Sequence, residues 1–167
     1  GMFFIAMLVK KNGKRNVFAL GLVLDIVGML ILNFSGGAMS VIVISSIIRG
    51  IGNACGGATM WAMVSDTIDY GEWKTGLRND GFQYAFVSLG NKIGMAIGTA
   101  LLAALLGKYG YVANQVQNPA VLSIMRHSFT TIPGILWIVT AIVLFFYRLN
   151  KKRYNEIVED LKKKRVK

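Results

Sequence analysis

Cysteine, histidine and proline are nearly missing from this chain of 167 residues, which contains one cysteine, one histidine and two prolines. Because Cys55 is alone, neither a disulfide framework nor a cysteine metal site can form within the chain. His127 has no second histidine beside it, and we interpret it as a surface residue. No residue pattern suggests an enzyme, and we expect no metal site and no bound cofactor.

Charged residues are also scarce, at 16% of the chain, whereas 54% of the residues are hydrophobic. A soluble domain of this length would carry more charge and would interrupt its apolar runs more often. Four runs, at 17–34, 41–64, 82–106 and 129–149, are near or above the roughly 18–20 residues that a helix needs to cross a bilayer. The sequence therefore predicts an all-α membrane protein with four full transmembrane helices.

The segments between these runs differ in charge. Of the 19 lysines and arginines, fifteen lie in 10–16, in 65–81 or from Arg148 onward, and two lie in 107–128. The positive-inside rule then makes 10–16 and 65–81 cytoplasmic loops and 35–40 and 107–128 outer loops. We expect a multi-pass protein of the cell membrane with a cytoplasmic C-terminus. Topology also explains the net charge of +11, so a nucleic-acid partner is not expected.

The two ends of the chain have patterns of their own. Residues 1–9 are apolar but too short to span a bilayer, and we interpret them as the end of a truncated transmembrane helix. The chain is thus expected to be the C-terminal part of a larger protein.

In the tail, 150–167, apolar side chains recur at helical spacing, at Tyr154, Ile157, Val158 and Leu161. This spacing predicts an amphipathic helix lying against anionic membrane lipid.

Asp25 and Arg49 are ionisable residues inside predicted spans, where charge is costly and usually points to a partner or a cavity. They lie about nine and eight residues from the outer ends of antiparallel neighbours, so we expect a buried charge pair at similar depth. Such a pair can fix helix packing, or it can break and reform during transport, and the sequence leaves both readings open.

Lys92 is the third ionisable residue inside a span and has no acidic residue in its own span. It lies about 15 Å from the expected cytoplasmic end, which favours a cavity over a lysine that extends to the interface. Ser88 lies one turn before it on the same face.

Glycines recur every four residues on roughly the opposite face of this span, at Gly90, Gly94 and Gly98. This spacing allows another helix to come close. Gly52 and Gly56 repeat this spacing in the second span.

The loop string SDTIDYGEWKTGLR (65–78), followed by NKIG and GKYGYVANQVQ, resembles the C-terminal part of the glycoside–pentoside–hexuronide:cation symporters. These form the melibiose-permease-like branch of the major facilitator superfamily. The resemblance covers nearly the whole chain and implies two six-helix halves that rock around a central site by alternating access. It also implies sugar or glycoside uptake driven by a cation, Na⁺ or H⁺, bound mainly in an N-terminal half that this chain lacks and needs as its partner.

The resemblance assigns roles to particular residues. Lys92 matches a lysine that lies between the cation and sugar sites, and Ser88 matches a position that lines the sugar pocket. The loop string matches a cytoplasmic gating segment formed by Asp66, Asp69, Tyr70, Gly71, Glu72, Lys74, Gly76 and Arg78. Two alternatives remain: a non-transporting membrane anchor or assembly subunit, and another transporter of the same superfamily, such as an exporter.

Overall fold

The computed structural model describes residues 2–147, 149 and 151–165, which form seven α-helices. They are α1 (Met2–Asn12), α2 (Lys14–Asn33), α3 (Met39–Thr75), α4 (Asp80–Lys108), α5 (Pro119–Phe129), α6 (Thr131–Phe146) and α7 (Lys151–Arg165). Four stretches are long and apolar enough to cross a membrane: α2, α3, α4 and α5–α6 together. The all-α membrane fold with four spans is confirmed. Residues 1, 148, 150, 166 and 167, which belong to the predicted first segment, last span and tail, lie outside the described residues.

The centre of the bundle is the antiparallel pair of α2 and α3, whose contact is the most extensive in the structure. Glycines allow this contact: a Cβ atom added to Gly52 would lie 2.7 Å from the carbonyl oxygen of Gly21. The predicted close packing at Gly52 is therefore present. Helix α6 also packs on α2, and α1 contacts both α2 and α3.

Helix α4 contributes little to this packing. None of its residues is buried, although it is long enough to span a bilayer. A Cβ atom added at Gly90, Gly94 or Gly98 would meet nothing within 4 Å. The glycine strip that the sequence predicts to receive another helix thus faces open space on the described part of the chain.

The predicted loop at 10–16 is wrong, because α1 extends to Asn12 and α2 begins at Lys14. Only Gly13 interrupts the helical backbone, with φ 82° and ψ 155°. This combination is open to glycine and strained for other residues, so a single glycine is enough to turn the chain.

The predicted loop at 65–81 is also largely wrong, since α3 continues to Thr75. At about 1.5 Å per residue, a helix of 37 residues is roughly 55 Å long and extends well past a hydrocarbon layer of about 30 Å. Gly76, at φ 74°, ends the helix and donates its N–H to the carbonyl oxygen of Glu72. The sequence suggested a loop because this extension is polar, but contacts with the tail and with α2 support it as a helix.

The predicted outer loop at 107–128 ends earlier than expected, because α5 begins at Pro119. Asn118 caps it by accepting a hydrogen bond from the N–H of Val121 at 2.8 Å, and a proline in the first turn is favourable there.

The last span consists of α5 and α6, separated at Thr130, and not of one helix over 129–149. Pro133 explains the separation, since it cannot donate to the preceding turn and its ring crowds that turn.

The tail forms the predicted amphipathic helix, α7, but its apolar face does not lie against lipid. Ile157 and Leu161 are only 3% and 7% exposed, and α7 packs on α3. The expectation of a lipid-facing tail is wrong because the polar extension of α3 supplies a protein surface at the level of the tail.

Candidate functional site

A cluster of charged side chains joins α2, α3, α4 and α7 at the end of the bundle where α2 begins and α3 ends. We call this end the basic end, since the segments rich in lysine and arginine meet there. Lys14, the first residue of α2, lies 2.5 Å from the carboxylate of Asp66 on α3. It also donates to the carbonyl oxygen of Ala62 at 3.2 Å, and its ammonium is 4.9 Å from the ring centroid of Tyr154 on α7.

This Lys14–Asp66 ion pair is sheltered from solvent. The Asp66 side chain is 7% exposed and that of Lys14 is 28% exposed. Removing one partner from a buried pair leaves an uncompensated charge, which costs far more than an exposed pair contributes. The pair therefore ties the start of α2 to the extension of α3, and the aromatic ring of Tyr154 covers it from the tail.

Asp69, one turn after Asp66, is shared between the tail and the α3–α4 link. One carboxylate oxygen accepts a hydrogen bond from the Tyr154 hydroxyl at 2.9 Å, and the other accepts one from Arg78 at 3.0 Å. Burial, and after it the hydrogen bond to Asp69, raises the pKa of Tyr154 above its ordinary value. The hydroxyl therefore stays protonated and acts as the donor.

Arg78 binds three carboxylates at once. Besides Asp69, it pairs with Glu72 of α3 at 2.8 Å and with Asp80, the first residue of α4, also at 2.8 Å. These hydrogen bonds, with the one to Asp80 the largest effect, raise the pKa of the guanidinium above its ordinary value. Arg78 thus joins the end of α3 to the start of α4 across a link of only a few residues.

The other residues of the predicted gating segment have separate positions. Tyr70 and Trp73 have their ring centroids 6.0 Å apart, and the indole N–H of Trp73 donates to Asp160 of α7 at 3.3 Å. A Cβ atom at Gly71 would lie 3.4 Å from the side chain of Gln83 on α4. Lys74 is exposed and takes part in no ion pair among the residues that the structure describes.

Sequence reasoning missed three members of this cluster. From the sequence, Lys14 is only a charge that sets topology, Tyr154 is only part of an apolar face, and Asp80 is only a loop residue. The polar hydroxyl of Tyr154, within an otherwise aliphatic stripe, was the available signal. Lys14 lies 52 residues from its partner Asp66, and Tyr154 lies 85 residues from its partner Asp69. Spacing patterns along the chain do not predict contacts over such separations.

Asp25 and Arg49 lie at neighbouring levels of the α2–α3 contact. Asp25 is 4% exposed, and a Cβ atom added at Gly52 would lie 3.1 Å from its carboxylate carbon. The aliphatic part of Arg49 packs against Gly28. The ion pairs found among the described residues do not include one between Asp25 and Arg49. The Nε atom of Arg49 is buried without a hydrogen-bond partner there.

Lys92 and Ser88 lie one turn apart on α4, and both are exposed. Neither takes part in a hydrogen bond or an ion pair that the described residues display. The structure therefore does not bring them together with Asp25, Arg49 or the cluster at the basic end. The described part of the molecule holds two separate candidate regions, the charged cluster and the uncovered face of α4.

Comparison with known proteins connects these regions to a family. Residues 1–151 match the family described as MFS/sugar transport protein. The chain belongs to this family. The resemblance to the glycoside–pentoside–hexuronide:cation symporters is thereby confirmed, and the family is one of transporters and not of enzymes.

Individual relatives agree with this membership. The chain is 37% identical over 159 residues to an uncharacterized symporter, YnaJ, of Bacillus subtilis (strain 168), covering 95% of this chain and 34% of that protein. It is 36% identical over 155 residues to a glucuronide carrier protein homolog of Escherichia coli (strain K12), covering 92% and 34%. It is 36% identical over 144 residues to an isoprimeverose transporter of Lactiplantibacillus pentosus, covering 85% and 30%. The chain thus spans about a third of the length of these curated relatives.

Proposed function

We propose that this chain forms the C-terminal portion of a cation-coupled sugar or glycoside symporter that works by alternating access. The observation that carries the proposal is the uncovered face of α4, a helix of spanning length with no buried residue and a lysine near its middle. The names of the relatives, a symporter, a glucuronide carrier homolog and an isoprimeverose transporter, support a sugar or glycoside as the substrate.

Lys92 cannot face hydrocarbon at low cost. It lies twelve residues after the start of α4 at Asp80, or about 18 Å along the helix, close to the middle of the bilayer. A charged side chain at that depth lines a cavity or pairs with an opposite charge. An N-terminal half packed against α4 would supply the carboxylates and close a pocket around Lys92 and Ser88.

The coupling cation, Na⁺ or H⁺, would act through the same carboxylates. When the cation occupies them, Lys92 must share or give up its partners, so the charge facing the sugar pocket changes with cation occupancy. This competition is a direct physical route from the cation gradient to substrate affinity. The sugar would bind beside it, with Ser88 donating or accepting hydrogen bonds.

The charged cluster would serve as the cytoplasmic gate. Fifteen of the 19 lysines and arginines belong to the segments at the basic end or to the tail, which favours a cytoplasmic location for this end and for the C-terminus. Arg78 has three carboxylate partners, so it can exchange one of them for a group on the N-terminal half without becoming unpaired. Such an exchange would lock and release the two halves as they rock.

The test is substrate uptake by the intact transporter that contains this chain, reconstituted in vesicles. Labelled glycosides and pentoses are supplied with and without a sodium or proton gradient. We expect Lys92→Ala to reduce gradient-driven accumulation at least about tenfold, because the coupling charge is lost. Lys108→Ala, which removes the same charge from the far end of α4, is the matched control and should accumulate substrate normally.

Coupled accumulation that is normal in Lys92→Ala would rule out the assigned role of the lysine. Substrate efflux without uptake, in vesicles of known orientation, would instead favour the exporter alternative. Absence of any transport by the intact protein, with the fold verified, would favour the anchor or assembly subunit.

A further inference from the structure

A cavity of about 380 Å³ lies at the basic end, between the α1–α2 junction and the start of α7. Four basic residues line it: Lys14, Arg15, Lys151 and Lys152. Three asparagines, Asn12, Asn16 and Asn155, add amide donors. Asp66 is the acidic residue among the described lining residues, and its charge is paired with Lys14.

The three remaining cations of this cavity are not neutralised by carboxylates. No ion pair in the described part of the chain includes Arg15, Lys151 or Lys152. Arg15 instead donates to the carbonyl oxygen of Phe145 at 3.4 Å, and Lys151 donates to that of Lys10 at 2.7 Å. Carbonyl oxygens are neutral, so the cavity keeps an excess of positive charge.

Two helices add to this positive potential. Helix α2 begins at Lys14 and α7 begins at Lys151, and the first turn of each contains no acidic residue. The turn at Gly13 brings the two starts together, since a Cβ atom added there would lie 3.5 Å from the Cβ atom of Lys151. The N-terminal end of a helix carries a partial positive charge and favours anions.

We propose that this cavity binds a phosphate group, carried either by the headgroup of an anionic phospholipid or by a soluble phosphate ester. The volume of about 380 Å³ lies at the lower end of the range of roughly 300–1,000 Å³ found for small-ligand pockets. The cavity lies where α2 starts and α6 ends, and the ends of helices that cross a bilayer are where such helices reach the headgroup layer. Basic pockets between helices on the cytoplasmic side are suited to anionic headgroups.

This site is separate from Lys92 and does not depend on the transported substrate. It also differs from a lipid-facing tail, because α7 packs on α3 and contributes to the cavity through the residues at its start, 151, 152, 154 and 155.

The experiment compares two double variants of the intact transporter with the same change of charge on the same helix. Lys151→Gln/Lys152→Gln removes cavity lysines, and Lys163→Gln/Lys164→Gln removes exposed lysines near the far end of α7. Binding of phosphatidylglycerol, with phosphatidylcholine as the reference lipid, is measured by native mass spectrometry in detergent. Glycerol 3-phosphate and inorganic phosphate are tested as soluble ligands and as competitors. Circular dichroism and gel filtration verify the fold of each variant.

We expect the cavity variant to bind phosphatidylglycerol about tenfold more weakly than the unchanged protein, and the control to stay within about twofold. Displacement of the lipid by millimolar glycerol 3-phosphate would support the site and identify a soluble ester as its source. Retention of the lipid against both soluble ligands would support the headgroup. Equal losses in both double variants, or no preference for phosphatidylglycerol over phosphatidylcholine, would overturn the proposal.

Discussion

Two side chains at the basic end each contact two parts of the molecule. Asp69 accepts hydrogen bonds from the tail and from the α3–α4 link through its two oxygens, and Tyr154 both covers Lys14 and holds Asp69. A change at Tyr154 therefore reaches Arg78 through one shared carboxylate. The tail is thus coupled to the proposed gate by a contact between two residues.

Tyr154→Phe tests this coupling, because it removes the hydroxyl and keeps the ring over Lys14. We expect a loss of about 1.5 kcal/mol in the stability of the intact protein, at the low end for a hydrogen bond to a charged group because this bond is only partly buried. The measurement is a double-mutant cycle with Asp69→Ala, which removes the acceptor, on the free energy of unfolding in detergent. Tyr111→Phe, at an exposed tyrosine outside the cluster, is the control and should change little. Additive losses in the cycle would mean that Tyr154 and Asp69 are not coupled.

At the scale of helices, the contact of α2 and α3 depends on backbone atoms that nearly touch. Gly21 and Gly52 face each other, and each leaves no room for a methyl group on the other, since the obstructing atom is a carbonyl oxygen at 2.7 Å. A backbone oxygen cannot move aside as a flexible side chain can. Packing at this point is therefore specified by two glycines, and the neighbouring glycines of α3 do not share the constraint.

Gly52→Ala is expected to destabilise the intact protein by about 1–3 kcal/mol through overpacking. Gly57→Ala is the matched control, because a Cβ atom there meets nothing within 4 Å, and alanine has the higher helix propensity. The apparent melting temperature of each variant in detergent is the measurement. Equal melting temperatures for the two variants would show that the α2–α3 contact leaves more room at Gly52 than the described distance of 2.7 Å allows.

At the scale of the whole molecule, α4 is the spanning helix with no buried residue in the described bundle. The structure has three other candidate spans, and they are not equally exposed. Helix α2 packs against α1, α3 and α6, whereas α4 contacts α3 and α5 among the described helices. A helix with a central lysine and an open face requires a second body to cover it. The proposed N-terminal half would have this role, with water in the cavity between the halves.

Thiol labelling of the intact protein tests directly whether water reaches that cavity. In a background with Cys55→Ala, Ser88→Cys is expected to react with a charged, membrane-impermeant thiol reagent, since it would face the aqueous cavity. Ile138→Cys on α6, exposed in the bundle but expected to face lipid, is the control and should react at least about tenfold more slowly, because hydrocarbon excludes charged reagents. If position 88 proves as unreactive as position 138, the face of α4 is turned to lipid and the proposed cavity is absent.

Much of this protein could be predicted from the order of its residues alone. The number of spans follows from the length of the apolar runs, and the family follows from the string at 65–78. Lys92 and Ser88 could be singled out because a charge within a span is rare and one helical turn separates them. All of these are local properties, since hydropathy, spacing and motif are read within a few tens of residues.

The tertiary structure alone decided the contacts between distant segments. The polar string at 65–75 is helical because Lys14 and the tail satisfy its charges, and the stripe of the tail is buried because α3 extends far enough to meet it. Lys14 and Asp66 are 52 residues apart in the chain, so no periodicity relates them. Helix ends and ion pairs of this kind depend on which surfaces the packed bundle brings within reach.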